Sequence, residues 1–206
     1  MTHTDNRIYL ATRSPRRREL LRQIGIAFDS LLLREDLRRG ADVDEAPAPG
    51  ESASAYVSRV ARAKAEAGWR RIADRRLPPR PVLAADTAVV LDGGIFGKPA
   101  DARCAHQMLR RLSGQTHQVM TAVAVARDAR VETALSISGV EFRELADGEI
   151  RRYVALGEAL DKAGAYAIQG RAAVFVRAIS GSYSGIMGLP LFETAELLGR
   201  FGVAPD

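Results

Sequence analysis

Apolar residues recur along the chain in two rhythms: short runs that are continuous or alternate, and longer stretches in which they return every three or four positions. The first rhythm predicts strands and the second predicts helices. Read in order, strands are expected at 7–11, 26–33, 82–91, 95–98, 118–125, 131–142 and 173–179. Helices are expected from Pro15 to a stop at Gly25, and over 52–67, 102–112, 146–156 and 190–201. Pro15 follows Ser14, a good first helical residue after a good N-cap. Residues 69–81 and 181–188 read as a basic connector and a flexible turn. No repeat, low-complexity tract or linker divides the chain, so residues 1–206 are expected to form a single domain.

The stretch from Val82 to Leu91 is apolar on both faces, as in a strand covered on both sides, except at Asp86 and Thr87. An ionised carboxylate buried there costs several kcal/mol or more without partners, so a cation or a wet cleft must accommodate it. Asp92, Gly93 and Gly94 then turn the chain into a short return strand that ends at Lys98-Pro99. A three-residue loop would set Lys98 on the face of Asp86, roughly 7–8 Å away. A two-residue loop would flip the register and point it away.

Other charges are also out of place. Arg16, Arg17 and Arg18 occupy the first turn of a helix, where the macrodipole disfavours cations, so either an anion completes that site or the three form a solvated basic face. Lys64 falls inside the apolar arc that starts at Tyr56, and there it either snorkels to the surface or reaches an anion in a cleft. Residues 34–50 form a long polar loop in which Glu35, Asp36, Asp42, Asp44 and Glu45 offer hard oxygens suited to Mg²⁺, or remain plain solvated acids.

Composition narrows the field without choosing within it. With 47% hydrophobic and 27% charged residues the chain reads as an ordinary globular domain. No apolar run approaches the roughly 20 residues of a membrane span, and the polar start lacks a signal-peptide core, so a cytoplasmic location is expected. The lone Cys104 reads as packing and His117 as structural. A net charge of +5, made of interspersed signs, suits a phosphate-bearing small molecule as well as it suits nucleic acid. A basic helix start, an inward lysine, a buried aspartate and an acidic loop together fit a polyphosphate clamped by cations and a metal ion. Walker A and GxGxxG patterns are absent from the sequence.

Six blocks do more than fit a class. They are Ser14-Pro15-Arg16-Arg17 with Glu19-Leu20-Leu21; Ala85-Asp86-Thr87; Gly97-Lys98-Pro99; Ser113-Gly114-Gln115-Thr116-His117; the run 161–170 (DKAGAYAIQG); and Gly188-Leu189-Pro190 with Glu193-Thr194. In this order and over nearly the whole chain, they resemble the Maf family of nucleoside triphosphate pyrophosphatases. Thr12 and Arg13 depart from the family pattern, which usually has Ser and a small residue there, and the loop after Leu33 is longer than the family would suggest.

The resemblance implies an α/β fold: a mixed twisted sheet flanked by helices, with two lobes around a central cleft, similar to inosine triphosphate pyrophosphatases. It implies hydrolysis of a nucleoside triphosphate to the monophosphate and pyrophosphate with a divalent metal cation, Mg or Mn, often by a homodimer, with no nucleic acid or membrane partner. Asp86 would be the proton acceptor. Arg16, Thr87 and Gln169 would set base specificity, and Ser14, Arg17, Lys64 and Lys98 would bind phosphate. Glu35, Asp36 and Asp86 would hold the metal. The run 161–170 looks like the branch acting on dTTP and UTP, with CTP or modified pyrimidine nucleotides as further candidates, rather than the branch acting on 7-methyl-GTP. The Gln169 amide both donates and accepts, as a uracil or thymine edge requires. A non-catalytic nucleotide- or nucleic-acid-binding regulator linked to septum formation is the alternative, and only the basic charge speaks for it.

Overall fold

Where both faces of a strand are apolar, helices must cover both, and the arrangement of this chain follows from that need. The computed structural model describes residues 6–34 and 40–205. β1 (Ile8–Leu10), α1 (Pro15–Gln23), β2 (Phe28–Ser30) and α2 (Ala53–Asp74) precede the long β3 (Val82–Leu91). After β4 (Gly94–Phe96) come α3 (Ala102–Leu112), β5 (Thr116–Arg127), β6 (Arg130–Phe142) and α4 (Asp147–Ala155). The chain closes with β7 (Val176–Ser180), α5 (Tyr183–Ile186) and α6 (Leu191–Gly199). The strands form one mixed sheet in the order β2-β1-β3-β5-β6-β7, with β4 also paired to β3. β1 runs parallel to β2 and β3, and the other pairings are antiparallel. The α/β fold class expected from the resemblance is the one found. Among the described residues no helix is long and apolar enough to cross a membrane.

Even-numbered residues of β3 face α2, where Ala84, Ala88 and Val90 pack with Val57, Ala61 and Ala65. α2 approaches closely because a Cβ on Gly68 would lie 2.7 Å from Val82 Cγ1. Odd-numbered residues are covered in two parts. Leu83 and Ala85 pack with Leu21 of α1 and Leu197 of α6, while Val89 and Leu91 pack with Leu109 of α3 and Ile150 of α4. Thr87 lies where one covering ends and the other begins. β5 repeats the pattern, with Val123 in the first part, Val119 in the second and Thr121 between them.

Three local expectations are corrected and one open alternative is decided. α2 runs on to Asp74, because buried Ile72 extends the apolar stripe through the segment expected to be a connector. Leu91 pairs with Gly94, and Asp92 and Gly93 have φ of 51° and 75°, so the hairpin loop has two residues with left-handed backbone rather than three. Residues 171–175 form a 3-10 turn before β7, since Ala172 and Phe175 are buried at helical rather than strand spacing. The turn expected at 181–188 contains α5, capped by the Ser182 hydroxyl.

Candidate active site

The sheet has a gap beside the unusual aspartate. β1 pairs with β3 only as far as Leu83, and β4 joins the same side only from Val89 onward. Between them this edge of β3 has no ladder partner among the described residues, so a carbonyl there needs another donor. Arg17 supplies it: Nη1 donates to the Ala85 carbonyl at 2.7 Å, Nε to the Gly188 carbonyl at 2.7 Å, and Nη2 to Thr87 Oγ1 at 3.0 Å. Burial pushes this guanidinium down from its usual pKa, against the opposing pull of Asp86. The two threonines continue the chain of bonds, with Thr87 Oγ1 2.9 Å from Thr121 Oγ1, which donates to the Gly185 carbonyl at 2.7 Å. Arg17, expected on phosphate, thus directs three of its nitrogens at the protein, and only the outer Nη protons remain for a ligand.

A cleft of about 830 Å³ opens at this gap. Ser14, Arg16, Arg17, Lys64, Asp86, Thr87, Lys98 and Gln169 all line it, so every described residue expected at the site is brought to one cavity. Glu35 and Asp36 lie outside the described residues. The three consecutive arginines separate because each helical step turns about 100°. Arg16 turns into the cleft and Arg17 fills the gap, while Arg18 bonds back to the Arg13 carbonyl at 2.9 Å. The α1 N-terminus is capped by Ser14, whose Oγ accepts from the Arg17 amide at 3.4 Å. Lys98 reaches the cleft because the chain leaves the ladder after Phe96, so hairpin register does not dictate its direction.

Asp86 faces α2. Its Oδ1 accepts from Lys64 Nζ at 2.8 Å, which settles the direction of a lysine that could have snorkelled. The same ammonium lies 3.0 Å from Glu45 Oε2, so one lysine bridges two carboxylates. Glu45 was only one of five acids in its loop, and tertiary donors sort those that the structure describes. Asp42 accepts from the Arg34 amide at 2.8 Å and is held by the Arg71 and Arg34 side chains at 2.7 and 3.2 Å; burial raises its pKa, and these bonds outweigh that and keep it below the usual carboxylate value. Asp44 Oδ1 accepts from the Ala46 amide at 2.9 Å. Tyr56 donates to the Glu45 carbonyl at 3.0 Å, and Arg59 donates to the carbonyls of Asp44 and Ala46 at 3.2 and 2.9 Å. The loop is thereby pinned to α2 with Glu45 directed at Lys64. His117 is structural: Nε2 bonds the Tyr166 hydroxyl at 2.8 Å, the ring packs edge-on against Phe142 and Tyr166, and burial pushes its pKa down to about 4.

Comparison with known proteins gives this arrangement a family. A sequence profile described as Maf-like protein matches residues 7–201. The chain belongs to the Maf family. Among its Maf relatives, the dTTP/UTP pyrophosphatase of Nitrosospira multiformis is 62% identical over 198 residues, covering 96% of each chain. The dTTP/UTP pyrophosphatase of Aromatoleum aromaticum is 60% identical over 197 residues, covering 95% of this chain and 96% of the relative. A HAM1 protein from Coxiella burnetii shares the fold with this Maf protein at a TM-score of 0.51 and 17% identity, over 94% of this chain and 98% of the other.

Proposed function

We propose that this protein hydrolyses dTTP and UTP to the nucleoside monophosphate and pyrophosphate. The observation that carries the reading is the convergence of Asp86 and Glu45 on one cation position in a cleft lined by further arginines and lysines. Names of relatives at 60–62% identity over nearly the full chain support the choice of substrates. Water attacks the triphosphate, the anhydride between the α and β phosphates breaks, and the proton of the attacking water passes to Asp86. Arg16, Lys64 and Lys98 bear phosphate or base contacts from the cleft walls, and Gln169 meets the base edge.

A divalent cation fits this donor set, because two carboxylates already share one cation, and hard oxygens are what Mg²⁺ or Mn²⁺ take. Among the described residues no cluster of three metal-binding side chains occurs. Asp86 and Glu45 would therefore hold the ion together with water and triphosphate oxygens, as is usual for Mg²⁺. When bound, it would neutralise charge on the phosphates. The same reading places the protein in the cytoplasm as a homodimer acting on free nucleotides rather than on nucleic acid.

The test is pyrophosphate release from dTTP, UTP, CTP, GTP and ATP with Mg²⁺ or Mn²⁺, for the wild type and Asp86→Asn. Release from the pyrimidine substrates, with a loss of more than about 10²-fold in folded Asp86→Asn, is expected. Near-normal turnover in Asp86→Asn would remove the assigned role.

A further inference from the structure

Gln169 lines the cleft from an exposed position, and its side chain makes no hydrogen bond to a described residue. Its direction is therefore set by the backbone around it. Two side chains grip that backbone. The Tyr153 hydroxyl accepts from the Ala167 amide at 3.3 Å, and Glu158 Oε2 accepts from the Arg171 amide at 3.2 Å, so the pair brackets residues 168–170. Glu158 also lies against Gly170 so closely that a Cβ there would fall 1.5 Å from Oε1 and 2.6 Å from Cδ. Gly170 has a φ of −102°, which any residue adopts, so the backbone does not require glycine there, but a larger residue would push the Glu158 carboxylate out of its present place.

Glu158 also acts on a second residue of the cleft. Arg16, which lines the same cleft, has a buried Nε with no hydrogen-bond partner among the described residues, and Asp161 and then Glu158 are the acids that favour its charged form against burial. Asp161 is itself paired with Lys162, whereas Glu158 is tied to the segment that carries Gln169. A buried donor without a partner is costly, and a bound nucleotide that offers an acceptor would relieve that cost.

We propose that Glu158 is a positioning residue for nucleobase discrimination: it seats residues 168–171 and so holds Gln169 at a fixed place in the cleft that Arg16 also lines. The proposal rests on the pyrimidine-nucleotide pyrophosphatase reading. Discrimination between bases comes from polar groups held where only one edge can satisfy them, so freeing the segment should blur the choice more than it slows the chemistry.

The experiment measures kcat and KM for UTP and GTP in the wild type, Glu158→Ala, Glu158→Gln, Gly170→Ala and the Glu158→Ala/Gly170→Ala double variant. Glu158→Ala is expected to lower the UTP-to-GTP ratio of kcat/KM by about tenfold or more, mainly through KM for UTP, with kcat within about threefold. Glu158→Gln keeps an acceptor for the Arg171 amide and should keep most of the ratio. Gly170→Ala should reproduce the loss in the wild-type background, because its methyl displaces the carboxylate, yet change little once Glu158 is already alanine. An unmoved ratio in Glu158→Ala, or an equal effect of Gly170→Ala in both backgrounds, would overturn the proposal. If Glu158→Ala does not fold, retention of the ratio in Glu158→Gln and its loss in Gly170→Ala still decide the matter. A wild type that releases no pyrophosphate from any triphosphate would sink the functional reading and this proposal together. Selective wild-type turnover with unmoved variants would sink this proposal alone.

Discussion

Replacing Lys64 with methionine keeps most of the side chain's apolar stem and removes the charge that Asp86 and Glu45 share. The Lys64 and Asp86 side chains are only 14% and 11% exposed, while Glu45 is 43% exposed. Each contact is worth about 6 kcal/mol in gross Coulomb terms at an effective dielectric of about 20, but desolvation offsets most of that. The exposed Glu45 leg nets at most about 1 kcal/mol. Removing one partner of the buried leg costs about 3–5 kcal/mol in a closed interior, and the open cleft points to the low end. A net loss of about 3 kcal/mol follows, which in a domain of this size lowers Tm by about 6–12 °C. The assay is thermal unfolding of wild type, Lys64→Met and Lys64→Arg, in chelator and in millimolar Mg²⁺. Lys64→Arg should stay near the wild type. Lys64→Met should gain more from Mg²⁺ than the wild type does, because its paired carboxylates face each other with no ammonium to displace, and a ligand at about 100 times its Kd adds about 2.7 kcal/mol. A Lys64→Met Tm within about 2 °C of the wild type in chelator would refute the energetic argument. Equal responses of the two proteins to Mg²⁺ would refute the shared cation position.

Two further outcomes are expected. Arg17→Lys cannot satisfy the Ala85 and Gly188 carbonyls and Thr87 at once, so it should cost about 2–4 kcal/mol by chemical unfolding and lower turnover as well; a wild-type denaturation midpoint would contradict the gap-filling role. For His117 the folded pKa is pushed by burial from 6.5 down to about 4, so between these values the unfolded chain binds more protons. Its contribution to stability is complete above pH 6.5 and is lost as pH falls through about 4, to a total of about 3 kcal/mol. The difference between the wild-type and His117→Gln unfolding free energies should therefore follow that sigmoid, and parallel curves would count against it.

What could be read without coordinates was whatever local pattern determines. The two apolar faces of β3, the stop at Gly25 and the α3 span 102–112 follow from periodicity and capping, and they stand in the structure where the pattern puts them. Lys64 within an apolar arc was likewise a local signal, and it is the residue that meets Asp86. The hairpin loop was decidable too, since Asp-Gly is a strong two-residue turn signal. The loop acids were not, because donors from α2, up to 29 residues away in sequence, fix Asp42 and the backbone around Glu45. Glu158 gave no local sign at all, since its close approach to Gly170 exists only after the chain has folded back on itself.

The gap in the sheet explains why the chemistry sits beside Asp86 and not elsewhere on so apolar a strand. Neighbouring residues of a strand point to opposite faces, so Asp86 and Thr87 should serve two separate environments, and they do: Lys64 on the α2 side, Arg17 and Thr121 on the other. One cleft can touch both only where the strand's edge is open, and here β1 has ended and β4 has not begun. An open edge inside a domain leaves backbone groups without a ladder, and a guanidinium from the neighbouring helix bonds the Ala85 carbonyl of that edge and ties it to the Gly188 carbonyl. Arg17 therefore supports the site before any substrate arrives. Losing it should harm nucleotide hydrolysis through the geometry of Asp86 and Thr87 as well as through any phosphate contact, so kcat should fall in Arg17→Lys even at saturating substrate.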